Sequence, residues 1–250
     1  MSAIWAACAD EAHPVLLSGQ LWRLVESQEQ IATTEIVDTL EEQALLEELL
    51  EATKPPLPGK TALHYLLRTP FRYPPLPFGS RFGSRFEPSL FYGSITVGTM
   101  LAESAFYRFL FWYGMRTPPA RAITSQHTAF TAKYRTTQGL RLQMRPFDNY
   151  HPALTDPTSY AATQPLGTAM RAAGIEAFEF ISARDQERGL NVALFTPEAL
   201  ASTQPLSTHR WVCQTDALQV DFLDEASRAV HGCALEIFLI EGVLPRVGLL

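Results

Sequence analysis

Residues 78–108 read FGSRFGSRFEPSLFYGSITVGTMLAESAFYR and gather three kinds of reactive side chain in one short stretch. Arg81 and Arg85 sit in a Gly/Ser-rich loop, Tyr92 lies in a short apolar run, and Glu103 follows on a segment with helical character. A guanidinium makes forked, charge-assisted bonds to phosphate or carboxylate. A carboxylate in an apolar setting is costly unless it is paired, or unless it serves to stabilise positive charge. Each residue also has a plain structural reading. Glu103 alone suits an ion pair with Arg81, Arg85 or Arg108, Tyr92 alone suits core packing, and Ser182 alone suits a cap at a strand end.

The elements around these residues follow from their patterns. A strand is expected over Ser89–Tyr92, ending at Gly93, and a helix from near Thr96 to about Met115. That helix carries Met100, Leu101, Ala102, Ala105, Phe106, Phe109, Leu110, Phe111 and Trp112 on every side, which predicts burial all round. Further strands are expected at 122–134, 140–142, 177–181, 191–195, 209–214, 218–222 and 234–240. A helix is expected over Tyr160–Ala173, with Gly174 as its stop. Nearer the N-terminus, residues 17–31 and 34–53 look like amphipathic helices, and KPPLPG at 54–59 marks a boundary. The expected class is α+β, a mixed or antiparallel sheet with flanking helices. The expected organisation is an acidic helical region at 1–53 and a catalytic domain at 54–250.

Composition narrows the function. Residues 1–53 hold eleven acids and one base, Arg23, for a net charge of −10; residues 54–250 hold 15 acids and 19 bases, for +4. A mildly basic body suits an anionic small molecule and lacks the dense basic stripe of a nucleic-acid binder. The acidic stretch reads as a solvated helical face or, alternatively, as a partner or dimer surface. No apolar run reaches the roughly 18 residues of a membrane span. Cys8, Cys213 and Cys233 are too far apart for a disulfide framework or a metal spacing, and the six histidines show no ligand spacing. The opening MSAIWAACADEAHP has no basic leader, so a reduced, cytoplasmic protein is expected. Residues 93–98 (GSITVG) do not form a dinucleotide fingerprint.

In order along the chain, GSRFG with Arg81, FYGS with Tyr92, TMLAE with Glu103 and GIEAFEFISARDQERGLNVALF with Ser182 resemble the RES domain family. The resemblance runs from about Leu66 to Leu200. It implies a fold like that of ADP-ribosyltransferases and a bacterial toxin that destroys NAD⁺ at the nicotinamide–ribose bond. It also implies a helix-turn-helix antitoxin of the Xre type as partner. On this reading NAD⁺ is the substrate and no cofactor or metal is needed.

That resemblance gives the residues roles. Glu103 stabilises the cationic ribose or holds a ribose hydroxyl, Arg81 binds the pyrophosphate with Arg85 as its competitor, Tyr92 stacks on nicotinamide, Ser182 orients the substrate and Asn191 supports it. Two other readings stay open: an ADP-ribosyltransferase acting on a protein or nucleic acid, and a non-catalytic binding module.

Overall fold

The longest strand carries the architecture. In the computed structural model, which describes residues 2–27, 37–55 and 62–246, the pieces expected at 122–134 and 140–142 are one strand, β3 (Ile123–Arg141). Ala129, Phe130, Ala132 and Tyr134 of β3 are all buried. The other strands are β1 (Val15–Glu26), β2 (Phe91–Ser94), β4 (Ala177–Ile181), β5 (Leu190–Leu194), β6 (Ser207–Thr215), β7 (Gln219–Asp224) and β8 (Val230–Ala234). Among the described residues they form one eight-stranded sheet in the order β1-β2-β5-β4-β3-β6-β7-β8. β1 also runs antiparallel to β3 from Val15↔Gly139 to Glu26↔His127, so five strands close on themselves and β6–β8 extend from the closed part. Only β3 and β4 pair in parallel. The class is α+β, with a mixed, mainly antiparallel sheet.

The helices are α1 (Ala3–Cys8), α2 (Leu40–Thr53), α3 (Tyr65–Arg72), α4 (Val97–Gly114), α5 (His151–Leu154) and α6 (Thr163–Ala172). None among the described residues is long and apolar enough to cross a membrane. α4 begins where expected, with the Thr96 hydroxyl accepting the Thr99 N–H. One face of α4 packs Leu101, Phe109 and their neighbours against Trp211, Val220, Phe222 and Phe238. A second cluster, with Leu17, Leu21, Phe91, Phe130, Val192 and Leu194, fills the closed part of the sheet. A third packs Phe82 with Phe178, Phe180, Leu166 and Met170, joining the Arg81 loop to β4 and α6.

Several expectations change. Residues 17–26 are strand, not helix; 28–31 lie outside the described residues. Leu17 and Leu21, both fully buried, are four apart, a spacing that shares one face in a helix and also in a strand. Gly19 between them breaks the tie, since a Cβ there would lie 2.8 Å from the Tyr134 hydroxyl on β3. The acidic N-terminal stretch therefore supplies a strand to the sheet. Within the expected helix at 34–53, α2 starts at Leu40 behind a Thr39/Glu42 capping box, and residues 34–36 are outside the described set. Leu40, Leu45, Leu49 and Leu50 of α2 are exposed. The expected strand at 234–240 is instead the end of β8 followed by a 3₁₀ turn over Leu235–Phe238, which buries Leu235 and Phe238 at i and i+3. α4 is apolar all round without being buried all round, because Tyr107 and Phe111 are about half exposed (52% and 53%). Most of the boundary stretch, residues 56–59, also falls outside the described residues.

Two outcomes follow from this packing. Leu21→Ala removes a fully buried side chain from the β1–β3 core. Chemical denaturation should show a loss of about 2–5 kcal/mol, whereas a helix lying on a surface would lose far less. The second outcome concerns His127, which is buried beside Arg108, opposite Glu26 and Trp211 in the strand pairing, with Nε2 2.9 Å from Ser125 Oγ. Burial, and then the Arg108 charge, pull its pKa from 6.5 down to about 4. The unfolded chain takes up this proton below about pH 6.5 and the folded chain only near pH 4. The neutral histidine's contribution is therefore complete above 6.5 and is lost as pH falls towards 4, on the order of 2 kcal/mol. In His127→Gln, denaturation midpoints measured between pH 7 and 4.5 should fall less than in the parent.

Candidate active site

The strand period places one set of side chains on a common face. Tyr92 and Ser94 are two apart on β2, and Ser94 pairs with Asn191 of β5, which pairs with Phe180 of β4. Ser182 follows Phe180 by two, just beyond the end of β4. The chain leaves β2 at Ser94, caps α4 at Thr96, and brings Glu103 back over these residues.

Glu103 and Ser182 are 79 residues apart in sequence and in direct contact. Ser182 Oγ donates to Glu103 Oε1 at 2.6 Å, and Asn191 Nδ2 donates to the same oxygen at 2.6 Å. Both donors are themselves held. Ser94 Oγ donates to Asn191 Oδ1 at 2.7 Å, which turns the amide N–H towards the carboxylate. Ser182 Oγ accepts from the backbone N–H groups of Arg184 and Asp185, both at 3.1 Å, which leaves its own hydrogen for Glu103. Asp185 accepts from Thr99 Oγ1 at 2.8 Å and from the Gly189 N–H at 3.2 Å, tying the turn to the first turn of α4. Glu103 Oε2 accepts no hydrogen bond among the described residues, so one carboxylate oxygen is fixed and the other is available.

This face opens into a cavity of about 300 Å³ lined by Arg81, Tyr92, Glu103 and Asn191 among others. Arg81 is buried; its Nη1 donates to the carbonyls of Leu154 (3.3 Å) and Asp156 (2.9 Å), and its guanidinium lies 5.1 Å from the Tyr160 ring centre. The Arg81 loop is pinned from two sides. Gln164 donates to the carbonyls of Phe78 and Ser80. A Cβ on Gly167 would come within 1.8 Å of the Phe82 carbonyl, so only glycine lets α6 lie this close. The Tyr92 hydroxyl accepts the Phe82 N–H (3.1 Å) and pairs with Ser80 Oγ (2.9 Å), and burial pushes its pKa up to about 12. Tyr92 thus offers its ring to the cavity while its hydroxyl fastens the arginine loop.

Arg85 stands apart. It is exposed, its guanidinium rests on Phe86 at 4.5 Å, and it does not line the cavity. Arg184, Tyr107 and Arg23 also line the cavity, without a role in the sequence pattern. Arg184 follows Ser182 by two, a spacing that marks it as a neighbour of the site. Tyr107 follows Glu103 by four, the same helix face. Arg23 comes from β1 and was visible only as the lone base among eleven acids. Its Nη1 donates to the Tyr92 carbonyl at 2.5 Å, its guanidinium lies 5.0 Å from the Phe91 ring centre, and burial lowers its pKa to about 10. Among the described residues none of Arg23, Arg81 and Arg184 forms a salt bridge, so the cavity is cationic around its single carboxylate. No group of three His, Cys, Asp or Glu residues among them could hold a metal ion.

No match was found among curated proteins. A family model, that of the RES domain, matches residues 57–216. The match spans more than half of the chain and takes in Arg81, Tyr92, Glu103, Ser182 and Asn191, while β1 with Arg23 lies outside it. On the strength of that match, the chain belongs to the RES domain family.

Proposed function

We propose that this protein cleaves the nicotinamide–ribose bond of NAD⁺ and acts as the toxin of a toxin–antitoxin pair. The observation that carries this reading is the Glu103 carboxylate, fixed through one oxygen by Ser182 and Asn191 and left with the other in a cationic cavity. RES family membership supports an NAD-processing role.

The chemistry suits the residues. As the C1′–N1 bond breaks, its electron pair goes to the pyridinium nitrogen and nicotinamide leaves neutral, so no strong general acid is required. Positive charge builds on the ribose. A preorganised carboxylate stabilises that charge without reorganising. An oxygen of water or of inorganic phosphate then bonds to C1′; with water, its proton passes to Glu103 or to bulk solvent. The guanidinium of Arg81 offers donors to the diphosphate, and the Tyr92 ring offers a flat surface to nicotinamide. Ser182 and Asn191 act through Glu103, as positioning residues. Inhibition by a separately encoded Xre-type antitoxin completes the proposal.

Purified protein should release free nicotinamide from NAD⁺ with no macromolecule added. Release that requires an added protein or nucleic acid would favour ADP-ribosyl transfer instead. Glu103→Gln preserves shape and removes charge, and kcat should fall roughly 10²–10³-fold with the melting temperature little changed. A folded Glu103→Gln protein with wild-type turnover would overturn the assignment. Ser182→Ala removes one of two donors to the carboxylate, and should lower kcat by about tenfold with KM nearly unchanged.

A further inference from the structure

We propose that Arg184 is the second half of a two-arginine clamp for a diphosphate, completed by Arg81 and set in place by the backbone carbonyls of residues 154–157. The identification of that diphosphate as part of NAD⁺ rests on the function proposed above; the anion site itself rests on the following geometry.

Arg184 lines the same cavity as Glu103 and is only 6% exposed. Its Nη1 donates to the Pro157 carbonyl at 2.9 Å, and its guanidinium carbon lies 3.5 Å from the centre of the Phe106 ring on α4. Nη2 is buried and has no hydrogen-bond partner. Arg81 is held by the Leu154 and Asp156 carbonyls of the same loop. One segment therefore orients both guanidiniums through neutral acceptors. The acid within it, Asp156, makes no ion pair with either arginine: its Oδ1 accepts the Thr158 N–H and hydroxyl, both at 2.7 Å, although the charge of Arg81 reaches it.

A buried arginine with a purely structural role is normally paired, because an unpaired buried charge or donor is costly. Among the described residues Arg184 has no carboxylate at ion-pair distance. After burial, the strongest influence lowering its pKa is the charge of Arg81, another cation. Two like charges oriented by one loop, with one donor unused and their repulsion only partly offset by the charge of Glu103, are unfavourable without a bound anion. They become favourable when a ligand with two negative charges enters. A diphosphate diester carries two such charges at neutral pH and presents several acceptor oxygens, matching two guanidiniums in number.

The test uses the full chain carrying Glu103→Gln, so that ligands bind without turnover. Calorimetric titrations with ADP, inorganic pyrophosphate and nicotinamide riboside separate phosphate binding from nicotinamide binding. Adding Arg184→Gln should weaken ADP and pyrophosphate by about 10- to 100-fold and change nicotinamide riboside by less than about twofold. Arg184→Lys keeps the charge and should recover part of the loss, and it serves as the second variant if the Gln protein does not fold. Adding Arg81→Gln to Arg184→Gln should cost less than the product of the two separate losses, as expected for partners on one ligand. The clamp is overturned if ADP and pyrophosphate bind as tightly without Arg184, or if all three ligands weaken equally, which marks a structural role. Pyrophosphate binding that depends on Arg184, in a protein that ignores nicotinamide riboside and NAD⁺, would keep the clamp and reject the NAD⁺ reading. Nicotinamide release with an unchanged KM in Arg184→Gln would do the reverse.

Discussion

A carboxylate on an apolar helix creates a demand that the surrounding chain has to meet. Glu103 has no cation at ion-pair distance among the described residues; instead, one of its oxygens receives two neutral donors at 2.6 Å. Charge-assisted bonds of this kind are short and strong, and they leave the negative charge unneutralised. An ion pair would satisfy the carboxylate equally well, but would weaken the field that the cationic transition state of the proposed reaction needs. Satisfying Glu103 without silencing it takes donors that are themselves fixed. That is why Ser94 holds Asn191 and why two backbone N–H groups hold Ser182. Each element contributing to the site is constrained by this chain of bonds.

The chain of bonds works only if β2, β4 and β5 hold their register, and closure of the sheet secures that. β1 pairs with β3 along most of its length and meets β2 at Trp22↔Ser94, beside the site. Gly93 faces β1 closely, since a Cβ there would lie 2.8 Å from Leu21 Cδ1. A one-residue slip of β2 would send Tyr92 and Ser94 to the opposite face and bring Phe91 into the cavity. The N-terminal strand thus helps to orient the face that carries the candidate site, although it lies outside the matched family region. Five of the eleven acids of the first 53 residues, Glu41, Glu42, Glu47, Glu48 and Glu51, sit on α2, which supplies no residue to the cavity wall.

What could be read from the sequence divides along physical lines. α4 was legible in type and limits because Thr96 caps it and the sequence breaks after Gly114. β4 and β5 were legible because short apolar runs bounded by Gly174 and Gly189 have few alternatives. β1 was not, because Leu17 and Leu21 fit both periods and only its partner Tyr134, more than a hundred residues away, decides between them. The Ser182–Glu103 contact came from family resemblance; no local pattern encodes a meeting across 79 residues. The choice between Arg81 and Arg85 depended on a Gly-rich loop whose course is fixed by α6 through Gly167 and Gln164. The open stripe on α4 was hidden because Tyr107 and Phe111 are apolar in type, and type alone does not say which apolar face is covered.

These failures share a location. Three arginines without carboxylate partners, an unused donor on Arg184, another on Arg23, and exposed aromatics on α4 are each a departure from ordinary folding preference. All of these residues but Phe111 line one cavity. Sequences specify folds when local preferences agree, and the places where they disagree tend to be places kept for function. A core built only for stability would pair these guanidiniums with acids, and the chain has 26 Asp and Glu residues to draw on. Asp156, in the loop that holds Arg81 and Arg184, is instead committed to Thr158, and Glu103 is committed to Ser182 and Asn191. Both commitments leave the guanidiniums of the cavity without an ion pair among the described residues, although the charges still feel one another. On the function proposed above, that arrangement is what would let one pocket attract a polyanion at one wall while stabilising a developing cation at another.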